Sequence, residues 1–245
     1  MLYTILLIIL ETVTIVLLLY LRKRLLTKII ATYRSEYNEL IEIKRLGLKE
    51  LWMIINKSVQ GVSLNSPLIH NSYWQEIAKR TIQEIKNKEA PSILHIGLGA
   101  GTVPGIIKKE VTNAQQIIIE IDQVVIDAYD KYFKVVNKGP FTILVQDIFA
   151  ILDNPNQFDQ KFDVIIVDIY NGRDDQSYAI FSKLTQWTKK NAIIIFNRPA
   201  HTEKLKQEAD TLISQFKQNF SEVDKVFIAD KIRNENYMLV VRVAP

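Results

Sequence analysis

The sequence predicts an α/β fold organised around a mostly parallel sheet, and three observations carry that expectation. Beyond residue 91, short apolar runs recur without the polar alternation of a half-exposed strand, which marks strands covered on both faces. Stretches with helical spacing separate them, as parallel connections require. The first run, residues 92–96, enters Gly97-Leu98-Gly99-Ala100-Gly101, and a helical stretch leaves that loop. Three of the chain's eight glycines fall in these five residues. Open α/β sheets hold nucleotide-type ligands with such a strand, glycine loop and helix N-terminus, because glycine lets a ligand lie against the backbone.

The chain opens differently. Residues 1–21 are almost wholly apolar, broken by Thr4, Glu11, Thr12 and Thr14, and Arg22-Lys23-Arg24 follows at once. About 20 apolar residues span a bilayer as a helix. The basic cluster on one flank then puts the main domain in the cytoplasm, anchored by a single N-terminal transmembrane helix. An amphipathic helix used for packing or self-association is the other reading of the same stretch. Residues 1–33 are expected to be this helix and its basic juxtamembrane stalk, with residues 25–33 continuing helical.

Residues 34–70 read as a small N-terminal β-hairpin domain. Leu40, Ile41 and Ile43, then residues 51–55, are β-prone runs around the polar stretch 44–50, and residues 58–62 can add a third strand. Residues 71–245 form the main domain. From Ser72 the spacing is helical, with Trp74, Ile77, Ala78, Thr81, Ile82 and Ile85 on one stripe. Strands are expected at 93–96, 116–121, 141–145, 163–167 and 192–196, with helices at 124–133, 178–189 and 203–220. Residues 223–230 and 237–243 read as an antiparallel C-terminal pair, making seven strands in all.

Composition narrows the chemistry. The 245 residues are 48% hydrophobic and 24% charged, as in a globular protein. No cysteine is present, which excludes disulfides, thiolate metal sites and cysteine nucleophiles. His70, His95 and His201 are far apart, so no metal site is expected. Arg22, Lys23, Arg24 and Lys28 against Glu11 put three of the four net positive charges in the first 30 residues. That leaves no basic surface for nucleic acid.

The polar residues at the strand ends specify the ligand. Glu120, Asp122, Asp147 and Asp168 each follow an apolar strand, at the edge where such sheets bind ligands. A carboxylate after the second strand can accept both hydroxyls of a ribose, and one after the third can accept an adenine amino hydrogen. Ile121 and Ile148 can sandwich the ring. Any one of these acids can equally be a helix cap. His95 is either a core histidine or a weak anion contact.

With these residues in view, residues 91–196 resemble the class I S-adenosylmethionine-dependent methyltransferase fold, a Rossmann-like sheet. Residues 35–196 resemble more closely the spermidine synthase family of polyamine aminopropyltransferases. Ser35-Glu36-Tyr37-Asn38, Ile41-Glu42-Ile43, residues 51–56, Gln60 and Tyr73-Trp74-Gln75-Glu76 follow the order of that family's small β domain and first core helix. The resemblance implies that Gln60 contacts the nucleoside, that Gly97, Gly99 and Gly101 pass under the methionine-derived tail, that Glu120 binds the ribose and Asp147 the adenine. It places Asp168 as the catalytic aspartate and Tyr73 beside the acceptor. The donor is then S-adenosylmethionine or its decarboxylated form, without a metal. The acceptor is an amine or another nucleophile, and a homodimer is left open.

Two departures stand out. Ala100 occupies the place of an aspartate that holds the donor ammonium, and Asp168-Ile169-Tyr170-Asn171-Gly172 replaces the usual D-S-x-D-P, removing a second aspartate. Asp174 and Asp175 follow, either as compensation or as a solvated loop. Three functions therefore stand: an aminopropyl transferase, a methyltransferase on the same scaffold, and a non-catalytic nucleoside-binding protein.

Overall fold

The computed structural model describes residues 2–25, 27–154, 156–169, 180, 183–220, 222–230 and 235–244; within 2–25 it describes the side chains of Ile5 and residues 8–18. The expected catalytic-loop residues Tyr170, Asn171, Gly172, Asp174 and Asp175 lie outside the described residues.

The strands that read as fully buried form a seven-stranded sheet, the sheet size and edge pair expected. β5 (Ser92–Ile96) lies inside it, pairing in parallel with β6 (Gln115–Glu120) on one side and β8 (Phe162–Val167) on the other. β7 (Thr142–Val145) extends the sheet beyond β6 and β9 (Thr188–Pro199) beyond β8, both parallel. β11 (Glu235–Arg242) and β10 (Val223–Ala229) close the β9 side antiparallel. The chain leaves β5 in one direction for β6 and β7 and returns in the other for β8 and β9. That reversal puts the switch point of the sheet between β5 and β8.

Both faces are covered, which is why these strands show no alternation. α2 (Tyr73–Ile85) and α3 (Thr102–Glu110) seat Trp74, Ile77, Val103 and Ile107 against Ile93, Val164, Ile166 and Ile195. On the other face α6 (Glu203–Asn219) seats Leu212, Ile213 and Phe216 against Ile194, Phe196 and Leu239. α4 (Gln123–Ala128) runs into a π turn at Tyr129–Phe133, and α5 (Ile148–Ile151) is a single turn.

A second, four-stranded antiparallel sheet precedes this domain, in the order β1 (Thr27–Tyr33), β2 (Ile41–Leu46), β3 (Glu50–Ile55), β4 (Ser58–Val62). Its inner residues Ile41, Ile43, Leu51 and Met53 share a core with Ile118, Val125, Tyr129 and Phe133 of the large domain.

Three expectations are corrected. The N-terminal residues do form a helix, α1 (Leu2–Leu25), but among the described residues no helix is long and apolar enough to cross a membrane. The side chains described in α1 are those of Ile5 and residues 8–18. They include Glu11, and Thr12 and Thr14 turn their hydroxyls onto the helix's own carbonyls. The transmembrane helix, the membrane partner and the membrane-anchored localisation inferred from residues 1–21 are therefore withdrawn. Secondly, the stalk expected to stay helical to residue 33 is strand β1, because Thr27, Ile29, Ile30, Thr32 and Tyr33 favour a pleated surface. Thirdly, the helix expected at 178–189 is helical at the described Ile180, Lys183 and Leu184 but ends in a 3-10 turn at Thr185–Trp187. β9 starts at Thr188, drawn back by the pairing of Thr188 with Phe162.

Below the sheet, at the end away from the glycine loop, Asp163 ties the strand starts together. Its carboxylate takes Lys88 Nζ at 2.9 Å, Lys189 Nζ at 2.7 Å and the Ser92 amide at 2.9 Å. Burial alone would raise its pKa, but these donors outweigh burial and hold it at about 2. A carboxyl held low in the folded state stabilises above the ordinary value near 4 and loses that contribution as pH falls toward 2. Because both lysines are half-exposed, the contribution is on the order of 1–2 kcal/mol. Asp163→Asn should lower urea-unfolding stability by that amount at pH 7 and flatten its fall between pH 5 and 2.

Candidate active site

The parallel ladders carry the chain past the strand ends in register. The Gly97 amide donates to Ile119 O and the Asp168 amide to Ile96 O, both at 2.9 Å, so the glycine loop, Glu120 and Asp168 share one edge. Gly97, Gly99 and Gly101 all have positive φ, at 103°, 50° and 68°. Their side-chain positions are occupied by neighbours. A Cβ on Gly97 would lie 2.4 Å from Asp168 O, and one on Gly99 would lie 2.6 Å from Gln60 O.

β4 of the small sheet lies directly on this loop. Thr102 Oγ1 donates to Val62 O at 2.8 Å and accepts from the Val62 amide at 2.9 Å. Asn137, fully buried, donates to Ala100 O at 2.7 Å and Val62 O at 3.0 Å, and accepts from the Leu64 amide at 2.9 Å. A Cβ on Gly61 would meet Ala100 Cβ at 2.6 Å. Ala100 is thus wholly buried against β4, and the absence of an acid there has a steric cause: a longer side chain would displace the small sheet.

Glu120 is oriented by its own neighbourhood. Oε2 accepts from the Leu98 amide and Oε1 from the Asp122 amide, both at 3.0 Å. Burial raises its pKa, opposed by the amide hydrogen bonds. Asp122 is buried, and its carboxylate is committed elsewhere. It caps α4 through the Val124 amide and accepts from Ser35 Oγ and Asn38 Nδ2. Asp122 thereby latches residues 35–38 over the edge. Tyr37 is exposed on that segment. Asp147 caps α5 through the Phe149 amide at 2.9 Å. Ile121 is half-buried, and Ile148 is buried in the core against Ile119 and Phe149.

Between the loop and β8 lies a cleft lined by Gln60, Trp74, His95, Gly97, Thr102 and Asp168 among others, with no lysine or arginine among the described residues of its lining. Burial raises the pKa of Asp168, opposed by the Asn197 side chain, which donates to Oδ1 at 2.8 Å. Asn197 Oδ1 is itself buried without a partner, as is Trp74 Nε1. Tyr73 is buried beside them, its phenol pKa well above the ordinary value through burial and the Asp168 charge. His95 is a core histidine. Gln116 Nε2 donates to Pro104 O, so Gln116 Oε1 faces His95 Nε2 at 2.8 Å, and burial lowers the ring's pKa to about 4. Neutral above that pH, it offers no charge to an anion.

The structure thus gathers Gln60, the three glycines, Glu120, Tyr73 and Asp168 around one edge, with Asp147 on its rim. It turns Asp122 and Ile148 inward. Asn137 and Asn197 escaped the sequence reading, although Asn197 ends an apolar strand as Asp168 does. Among the described residues no group of three or more acidic or histidine side chains is placed to hold a metal ion.

Comparison with known proteins adds the following. The model of the spermine/spermidine synthase domain matches residues 66–241. A polyamine aminopropyltransferase of Vibrio vulnificus is 23% identical over 194 residues, 77% of this chain and 65% of that protein. One of Sulfurisphaera tokodaii is 24% identical over 64% of this chain and 51% of its own length. The chain therefore spans between half and just under two thirds of these relatives. The crystal structure of a probable spermidine synthase from Corynebacterium glutamicum superposes with a TM-score of 0.68 at 18% identity, covering 88% of this chain and 80% of that one.

The clamp of β4 on the loop is testable by itself. Gly61→Val should cost about 2 kcal/mol or more in urea unfolding, because neither Ala100 Cβ nor the Ala100 amide can yield without moving the sheet. Gly47→Ala, where nothing lies within 4 Å of the added carbon, should cost about 1 kcal/mol, from its positive φ alone.

Proposed function

The chain belongs to the spermine/spermidine synthase family, and from that premise we propose that it transfers an aminopropyl group from decarboxylated S-adenosylmethionine to an amine. The observation that carries the reading is Asp168, a half-buried carboxylate whose basicity is raised, at the switch point beside a cleft whose described lining holds no lysine or arginine.

In this reading the nucleoside of the donor lies across the edge from Gln60 to Asp147. Glu120, already held by two amides, receives the ribose hydroxyls on its remaining lone pairs. Asp147 receives the adenine amine, and Tyr37 covers the ring from the small domain. The sulfonium tail runs over Gly97 and Gly99 toward Asp168. The acceptor amine approaches the carbon next to sulfur. Its lone pair forms the C–N bond as the C–S bond breaks, and the electron pair stays on sulfur, leaving neutral methylthioadenosine. The sulfonium is already a good leaving group, so the protein's tasks are placement and deprotonation. Asp168 takes the proton from the attacking nitrogen, and Asn197 fixes the carboxylate's orientation. Tyr73 stays protonated at neutral pH and forms an uncharged wall. The amine must shed water to enter, and the charge of Asp168 offsets that cost.

Methyl transfer on the same scaffold draws on one specific observation. Ala100 is buried against β4, so no carboxylate from the loop meets the donor's ammonium.

Asp168→Asn should abolish turnover of decarboxylated S-adenosylmethionine with amines, by 10² or more, while methylthioadenosine still binds. A carboxyl whose folded pKa is raised stabilises only below its unfolded pKa and loses that contribution as pH rises through the folded value. At pH 7 the ionised side chain is therefore a net cost, and the variant's unfolding midpoint should not fall. Unchanged turnover would remove Asp168 from the mechanism. Release of S-adenosylhomocysteine from the full donor would favour methyl transfer.

A further inference from the structure

The π turn after α4 leads to a side chain that the proposed chemistry does not use. The Asn137 amide donates to Phe133 O at 2.8 Å and the Gly139 amide to Lys134 O at 2.7 Å, so Asn137 sits where this turn ends. Lys138 follows with a φ of 63°, a left-handed conformation that a Cβ makes unfavourable and that persists where the surroundings over-determine it. At the start of the same segment the Tyr129 ring lies beneath Gly101, where an added Cβ would come within 2.6 Å of it. At its end Asn137 O lies 2.6 Å from the Cβ position of Gly105 in α3. One segment therefore supports both the glycine loop and the helix that leaves it. It continues from α4, which Asp122 caps two residues after Glu120. The ribose end of the site and the loop end are thus built on one stretch of chain.

The Asn137 side chain is matched to its place. It is wholly buried. Its two Nδ2 hydrogens go to Ala100 O at 2.7 Å and Val62 O at 3.0 Å, and Oδ1 accepts from the Leu64 amide at 2.9 Å. A carboxamide supplies two donors and an acceptor in this volume, whereas an ionised aspartate lacks the donors and leucine lacks all three. Thr102 Oγ1 joins β4 to the start of α3, but Asn137 joins β4 to the loop itself. Val62 is two residues from Gln60, and Gln60 O lies 2.6 Å from the Cβ position of Gly99. Tying Ala100 O and Val62 O to one amide therefore fixes the gap between Gln60 and the loop. Asp168 and Asn197 are carried by β8 and β9, outside this network.

We propose that Asn137 is a positioning residue for the sulfonium donor. It touches neither the donor nor the reacting atoms. By setting the gap between Gln60 and Gly99 it sets donor affinity, and it leaves the acceptor side and the bond-making step alone. The proposal rests on the reading of this edge as the donor's seat.

The test uses the full chain, calorimetric titration of methylthioadenosine, and steady-state rates with decarboxylated S-adenosylmethionine and 1,4-diaminobutane. Asn137→Ala leaves Ala100 O and the Leu64 amide without their partner. It should raise the methylthioadenosine Kd and the donor KM about tenfold, with kcat and the diamine KM within about twofold. Asn137→Ser, which keeps one donor, should fall between, and it carries the comparison if Asn137→Ala does not fold. Asp163→Asn loosens the far end of the same sheet and is the control for a merely structural effect. It should lower the unfolding midpoint and leave the methylthioadenosine Kd unchanged. An unchanged Kd in both Asn137 variants, or an equal rise in Asp163→Asn, would overturn the positioning role. So would a fall in kcat at constant donor KM. Methylthioadenosine binding that the Asn137 variants weaken, in a chain that turns over no amine, would uphold the role and overturn the transferase reading alone. No binding to the wild-type chain would overturn the donor's seat and the role of Asn137 together.

Discussion

The structure depends on the contact between the β4 backbone and the glycine loop. Val62 is bonded through both its amide and its carbonyl to Thr102, and Asn137 joins Val62, Leu64 and Ala100 from a third segment. With Gly61 and Gly99 lying on the opposing backbone, the small sheet becomes one wall of the cleft. The loop's positive φ angles serve this contact as much as any ligand. At Gly61 and Gly99 a side chain would separate the two domains, and at Gly97 it would push β8 away from β5.

The same contact explains a feature that looked like a loss of function. Ala100 occupies the place where the family resemblance expects a carboxylate, and it is buried beneath Gly61. The loop is closed there by packing, so in the proposed reaction charge for the donor and acceptor comes from the strand ends. Asp168, Glu120 and Asp147 are at those ends, each oriented by backbone amides or by Asn197. Burial raises the basicity of Asp168, which is unfavourable for folding and favourable for accepting a proton.

The large sheet was legible because its physics is local. Strands buried on both faces must be apolar nearly throughout, and their middles, 93–94, 117–119 and 164–167, are. The acids at their ends were legible for the same reason, since a charge ending such a run has to leave the core. What was not legible depends on distant partners. Nothing near Asn137 announces that it will join residues 62, 64 and 100, and nothing near Asp122 announces Ser35 and Asn38. Without those partners Asp122 reads as a ligand-facing acid, whereas its oxygens are already taken. Residues 25–33 misled in another way, because an apolar stretch rich in isoleucine and threonine suits a strand or a helix, and only pairing with β2 decides. The apolar start suggested a membrane span from composition, and among the described residues no helix is long and apolar enough to cross a membrane.

The central claim is that the small sheet and the strand ends together form one seat for the nucleoside of a sulfonium donor. Calorimetric titration of methylthioadenosine into the full chain and into Glu120→Gln tests it most directly. The account predicts one-to-one binding to the wild-type chain, weakened about tenfold in the variant by loss of one charge-assisted acceptor for the ribose hydroxyls. Absence of binding to the wild-type chain, or binding that Glu120→Gln leaves unchanged, would contradict it.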